Sequence, residues 1–168
     1  ATPWGSWLSC EECVLTSGFK GEEKLQLQKN HGYVFEVPAR AEIAIAEPAP
    51  SVAMGRFYHE AVAVDPRTGI VYLTEDRDDG LLYRFLPTTR GDMHGGGRLQ
   101  ALALASGAKE ARNWPTSESP LSVGAKHAVT WIDLDHIDAP DDDLRARGFA
   151  RGACRFARAE GMWMGDGE

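Results

Sequence analysis

Cysteine and glutamate side chains that could hold a cation stand close together near the start of this chain, in Cys10-Glu11-Glu12-Cys13. Two thiols three positions apart can form half of a zinc site or a redox pair, because both can reach one ion or each other. A structural zinc site needs two further ligands, which Cys154 and a histidine such as His31 or His127 would have to supply. No βαβ pattern surrounds the pair to support the redox alternative. If the segment is a strand, residues 10 and 13 face opposite sides while Cys10 and Glu12 share one with Leu8. A thiolate beside carboxylates suits iron or another transition metal, whereas oxygen donors alone suit calcium or magnesium. The same pair also reads as a small buried hydrophobe and a solvated acid.

Glu60 and Glu75 stand at the ends of apolar runs, where a carboxylate can project from a rigid scaffold. A solvated strand-end acid is the plain alternative. His59 could be a ligand, a proton carrier or a satisfied sheet histidine. Asp76-Arg-Asp-Asp-Gly80 lacks the spacing and final Glu of an EF-hand and is better explained as a hairpin turn. His94-Gly-Gly-Gly97 has no Gly-x-Ser-x-Gly partner, and Ser106-Gly-Ala-Lys109 has none of the companion motifs of a Ser-x-x-Lys enzyme. Neither phosphate-binding glycine motif of nucleotide enzymes is present.

The elements that must position these residues are predicted to be strands. Ala61 to Val64, Ile70 to Thr74 and Leu81 to Leu86 form a meander, turned first by Asp65-Pro-Arg-Thr-Gly69 and then by Asp78-Asp-Gly80. The β-branched and aromatic content of Ile70, Val71, Tyr72 and Thr74 fits a half-buried pleated surface. Ser6 to Leu15, His31 to Val37, Leu99 to Leu104 and Val129 to Leu134 are further strand candidates. Glu22 to Asn30 reads as a helical turn or polar loop, and Ser106 to Lys126 as a long surface loop. Helical composition is sustained only over Asp141 to Arg158, weakened by Gly148 and Gly152. Gly161 to Glu168 reads as a strand entering a turn.

The fold class is therefore all-β: sandwich, barrel or propeller. At about 40 to 45 residues per blade, a propeller would have roughly three to four blades here, although no signature repeats at a fixed period. With 168 residues, 43% of them hydrophobic, the chain can build a core. Its net charge of -7 argues against nucleic acid or an anionic membrane as partner. No apolar run reaches the roughly 20 residues that span a bilayer. The chain starts at Ala1 without Met and ends as abruptly, and it is expected to be a fragment of a longer protein. Strand edges left open by truncation predict self-association.

Trp4-Gly-Ser-Trp-Leu-Ser-Cys-Glu-Glu12, His31-Gly-Tyr-Val-Phe-Glu-Val37, Gly55-Arg-Phe-Tyr-His-Glu60, Val71-Tyr-Leu-Thr-Glu-Asp76 and Ala159-Glu-Gly-Met-Trp163 resemble, in order and approximate spacing, the PhoX family of bacterial alkaline phosphatases. The resemblance implies a six-bladed β-propeller whose channel holds iron and calcium at a phosphate-ester site. It implies that residues 1–168 are a partial propeller domain, truncated at both ends, of a longer protein exported to the periplasm or cell exterior. By position, Cys10 resembles the family's iron-binding cysteine. Glu160 resembles a metal-binding glutamate, and Arg158 a phosphate-contacting arginine, although Ala159 stands where the family has Pro. Glu36, Glu60 and Glu75 fall in blocks resembling acidic ligand positions, and Glu12 shares the face of Cys10. The function implied is a metal-dependent phosphatase, with this portion inactive alone. A non-catalytic propeller that binds a ligand or partner and a calcium-dependent propeller lactonase are the competing classes.

Overall fold

The computed structural model describes residues 1–21, 26–115 and 121–165. Parts of three predicted segments, the 22–30 turn, the 106–126 loop and the 161–168 strand, lie outside these residues. Two antiparallel sheets carry the strands. β1 (Ser6–Cys10) pairs with β2 (Val34–Pro38). The larger sheet runs β3 (His59–Val64), β4 (Val71–Glu75), β5 (Gly80–Pro87), β6 (Gly97–Leu104) and β7 (Val129–Asp133) in chain order, and the short β8 (Arg155–Phe156) pairs with the start of β5.

Seven of the eight predicted strands form; over 161–165, the described part of the eighth, the chain is not a strand. The first is shorter than its apolar pattern suggests, ending at Cys10 instead of Leu15. The described strands gather into two antiparallel sheets, of two and six strands.

The meander turns close as their residues dictate. Asp65 accepts bonds from the Arg67 amide (2.8 Å) and Thr68 hydroxyl (2.8 Å), and Gly69 takes φ +75°. At the second turn the Gly80 amide donates to the Arg77 carbonyl at 3.1 Å. A Cβ on Gly80 would come within 2.5 Å of the Glu75 carbonyl oxygen, so the close approach itself demands glycine.

Alternation along the strands builds two cores. Val71, Leu73, Leu81, Tyr83, Phe85, Leu99 and Ala101 line one face and pack with Met54, Phe57, Met93 and Leu144. Leu102, Leu104 and Cys154 form a smaller cluster with Leu82, Trp131 and Phe156. The predicted helical stretch yields α1 (Leu144–Ala150) alone. Gly152, at φ +110°, ends it, its amide bonded to the Phe149 carbonyl at 3.0 Å. Gly148 lets α1 lie against the sheet, since a Cβ there would stand 2.7 Å from Leu81 Cδ1. Among the described residues no helix is long and apolar enough to cross a membrane.

Candidate metal centre

The ladder between β3 and β4 is interrupted where the acids stand. His59 pairs with Glu75 and Val62 with Leu73, so Glu60 and Ala61 together oppose Thr74. This is a bulge, a device that re-aims a side chain. Thr74 caps it, its hydroxyl oxygen accepting the Ala61 amide at 3.0 Å. His59 and Glu75 go into the core, and by alternation their successors, Glu60 and Asp76, emerge on the other side.

Glu12, leaving the end of β1, meets them. Ligating atoms of Glu12, Glu60 and Asp76 lie within 4.8 Å of one another. The segment after β8 closes the group: the Thr74 hydroxyl donates to the Glu160 carbonyl (3.0 Å), and the Arg158 amide to the Arg77 carbonyl (2.9 Å). Arg158 Nε stands 3.0 Å from Asp76 Oδ1, yet that oxygen, on a side chain almost wholly buried, has no aligned hydrogen-bond donor. Arg158 holds a left-handed φ of +51°.

The electrostatics are those of crowded acids. The Glu12 carboxyl is pushed up by its hydrogen bond with Asp76, then by burial and by the charges of Glu60, Asp76 and Glu160. Glu60 is raised by burial first and then by Glu160 and Asp76, with Arg158 acting in the opposite sense. Burial and the neighbouring Glu60 push the Cys10 thiol up to about 11. Four carboxylates and a thiol thus influence one another with a single arginine among them, and a cation would relieve the repulsion and deprotonate the thiol.

Of the residues selected from sequence, Glu12 and Glu60 meet here with Asp76, Arg158 stands beside Asp76, and Cys10 and Glu160 lie near enough for their charges to couple with Glu60. Glu36 and Glu75 are engaged elsewhere. Glu36 turns toward the far end of the β1–β2 hairpin, where it accepts bonds from Trp4 Nε1 (2.6 Å) and the Ser6 hydroxyl. Glu75 is buried, takes the Tyr83 hydroxyl (2.8 Å) and the Leu81 amide (3.1 Å) on Oε2, and lies 3.9 Å from Arg145 through Oε1. Burial lifts its carboxyl to about 7 despite Tyr83, Leu81 and Arg145, which pull it down. His59 goes into the sheet's core: its Nε2 lies 3.1 Å from the Gly55 carbonyl, its ring stacks on Phe57, its buried Nδ1 has no hydrogen-bond partner, and burial pushes it down to about 3. The cysteines are free thiols, with Cys154 in the second core cluster and His31 held by Glu11.

Asp76, which reads from the sequence as part of the hairpin turn, belongs to this group instead. The signal was the alternation of β4: with Leu73 and Glu75 inward, Thr74 and Asp76 must share the opposite side. A hollow of about 530 Å³ bounded by Glu36, Val37, Ile43, Ile45 and His94 is lined by none of Glu12, Glu60 and Asp76.

Compared with known families, the chain matches Alkaline phosphatase PhoX over residues 1–168. Among solved structures it is similar to Pseudomonas fluorescens PhoX in complex with vanadate, a transition state analogue, at 23% identity and a TM-score of 0.57. The similarity covers 95% of this chain and 35% of that one, so the chain spans about a third of the solved relative's length. No curated protein matches it. The two agree on an antiparallel all-β fold, and the match across all 168 residues places the chain in the PhoX alkaline phosphatase family.

Proposed function

We propose that the chain is a portion of a propeller phosphatase that hydrolyses small phosphate esters at a centre of iron and calcium, in the periplasm or outside the cell. The observation that carries this is the meeting of Glu12, Glu60 and Asp76 from three separate segments, with Arg158 at Asp76 and with Cys10 and Glu160 electrostatically coupled to Glu60.

The donor set fits the metals. Cys10 offers the soft ligand that iron accepts, and the carboxylates offer the oxygens that calcium requires. The buried Asp76 oxygen without an aligned donor fits the same assignment. When bound, such metals polarise phosphoryl oxygens, activate an oxygen nucleophile and neutralise charge in an in-line displacement. The protein's share is positioning. The bulge at Glu60 and the Thr74 bond to Glu160 hold the carboxylates in place. Arg158, its side chain 57% exposed, presents a planar guanidinium at the rim that can take two oxygens of a phosphate group.

Cys10 separates this reading from a calcium lactonase, which needs no thiol, and the clustered acids Glu12, Glu60 and Asp76 separate it from a binding module, which needs none. The test is phosphate release from an aryl phosphate by the intact protein, with and without chelator, alongside Asp76→Asn. The proposal expects chelation and the substitution each to remove most activity. Phosphate release indifferent to both would overturn it.

A further inference from the structure

Glu11 lies between two residues of the proposed centre, yet its own carboxylate points away from it. Oε1 is 2.7 Å from His31 Nδ1, and Oε2 accepts the Gly32 amide (2.8 Å) and the Tyr33 amide (3.1 Å). Its main chain is tied as well: the amide donates to the Tyr33 carbonyl at 3.0 Å, and the carbonyl accepts the His59 amide at 3.2 Å. That last bond joins Glu11 to the residue preceding Glu60.

Behind this contact lies a buried brace. Arg56, 1% exposed, donates to the backbone carbonyls of His31 (2.8 Å), Val14 (2.6 Å) and Ala139 (3.0 Å). The Phe57 amide donates to the Gly32 carbonyl at 3.1 Å. Gly32 permits the close approach: at φ +111°, a Cβ would stand 3.1 Å from Arg56 Cγ, the Cys13 carbonyl and Val14 Cγ1. The segments around residues 10–14, 31–33 and 55–59 are thereby locked to one another. Of the three, the first carries Cys10 and Glu12, and the last leads into Glu60.

We infer that Glu11 is a positioning residue: its carboxylate, clasped by His31 and the Gly32 and Tyr33 amides, fixes the direction in which Cys10 and Glu12 are presented to Glu60 and Asp76. The assignment rests on the metal-centre reading for its purpose but not for its geometry. Side chains alternate along an extended segment, so anchoring residue 11 on one side sends residues 10 and 12 to the other. Charge-assisted bonds to backbone amides are the stronger kind, which suits a carboxylate used as an anchor.

Two measurements on the intact protein test this, one without metal. In chelator, the labelling rates of Cys10 and Cys154 by a thiol reagent are followed by peptide mass spectrometry. Losing the clasp in Glu11→Ala is expected to speed Cys10 labelling about tenfold by local opening, with Cys154 unchanged. Calcium titration is expected to show an affinity about tenfold weaker, as for loss of an outer support of a metal ligand. Glu11→Gln keeps an oxygen for the two amides and is expected to restore both readouts to within about threefold. His31→Ala, which removes one of the three contacts and so guards against a Glu11→Ala protein that does not fold, moves both in the same direction by less. Unchanged Cys10 labelling and calcium affinity in Glu11→Ala would overturn the inference, as would Cys10 and Cys154 speeding up together. Faster Cys10 labelling in a protein that binds no calcium even as wild type would uphold the clasp and remove the metal reading.

Discussion

Two neighbouring carboxylates, Glu75 and Asp76, have opposite fates. Glu75 is sealed in the core with Tyr83, whereas Asp76 joins the acid cluster. The first predicts a pH effect on stability. Its carboxyl titrates near 7 in the folded chain and near 4.5 when unfolded, so the folded form binds more protons between those values. Its contribution is fully present below about pH 4.5 and is lost as pH rises through 7, a change of about 3 kcal/mol from the size of the shift. Glu75→Gln, which stays neutral, is expected to flatten this decline, read as the difference between wild-type and variant denaturant midpoints from pH 5 to 8; parallel curves would contradict it. For Asp76→Asn the effect falls on binding, and calcium affinity is expected to drop at least the roughly 10- to 100-fold seen when an outer partner of a metal ligand is lost. A calcium isotherm superimposable on that of wild type would remove Asp76 from the centre.

At the scale of elements, glycine placement decides how strands and helix come together. Gly80→Ala forces a Cβ onto the Glu75 carbonyl at 2.5 Å, backbone that cannot move aside, and is expected to cost about 1–3 kcal/mol. Gly148→Ala crowds the end of the Leu81 side chain and otherwise makes ordinary contact with Leu134 and Ala101, and alanine is a better helix former by up to about 1 kcal/mol, so its net cost is smaller. Urea unfolding of both variants checks the order; a larger loss for Gly148→Ala would contradict it. Strand positions were legible in the sequence because β-branched runs and the Asp-Pro-Arg-Thr-Gly and Asp-Asp-Gly turns are local signals. The helix was overextended because composition from Asp141 to Arg158 does not show where Gly152 ends it. The bulge at Glu60 is not legible, since it depends on the register between two strands, whereas Asp76 could be found by carrying the alternation of β4 one residue past Glu75. Glu36 and Glu75 looked like ligands because sequence shows an acid at a strand end but not the Trp4, Ser6 or Tyr83 donor that claims it.

At the scale of the whole molecule, one third of a relative's length carries a cluster drawn from β1, β3, β4 and the segment after β8. Apolar side chains are also left in solvent: Trp7 and Val37 on the hairpin, and Ile43 and Ile45 beyond it. The 168-residue chain alone is therefore expected to self-associate. A strictly monomeric mass across a concentration series by light scattering would contradict this. The central claim is that Cys10 and the surrounding carboxylates hold metal together, and elemental analysis of the intact protein addresses it most directly. Wild type is expected to carry both iron and calcium, Cys10→Ala to lose the iron, and Asp76→Asn to lose calcium. Iron retained in full by Cys10→Ala, or a wild-type protein carrying neither metal, would contradict the account.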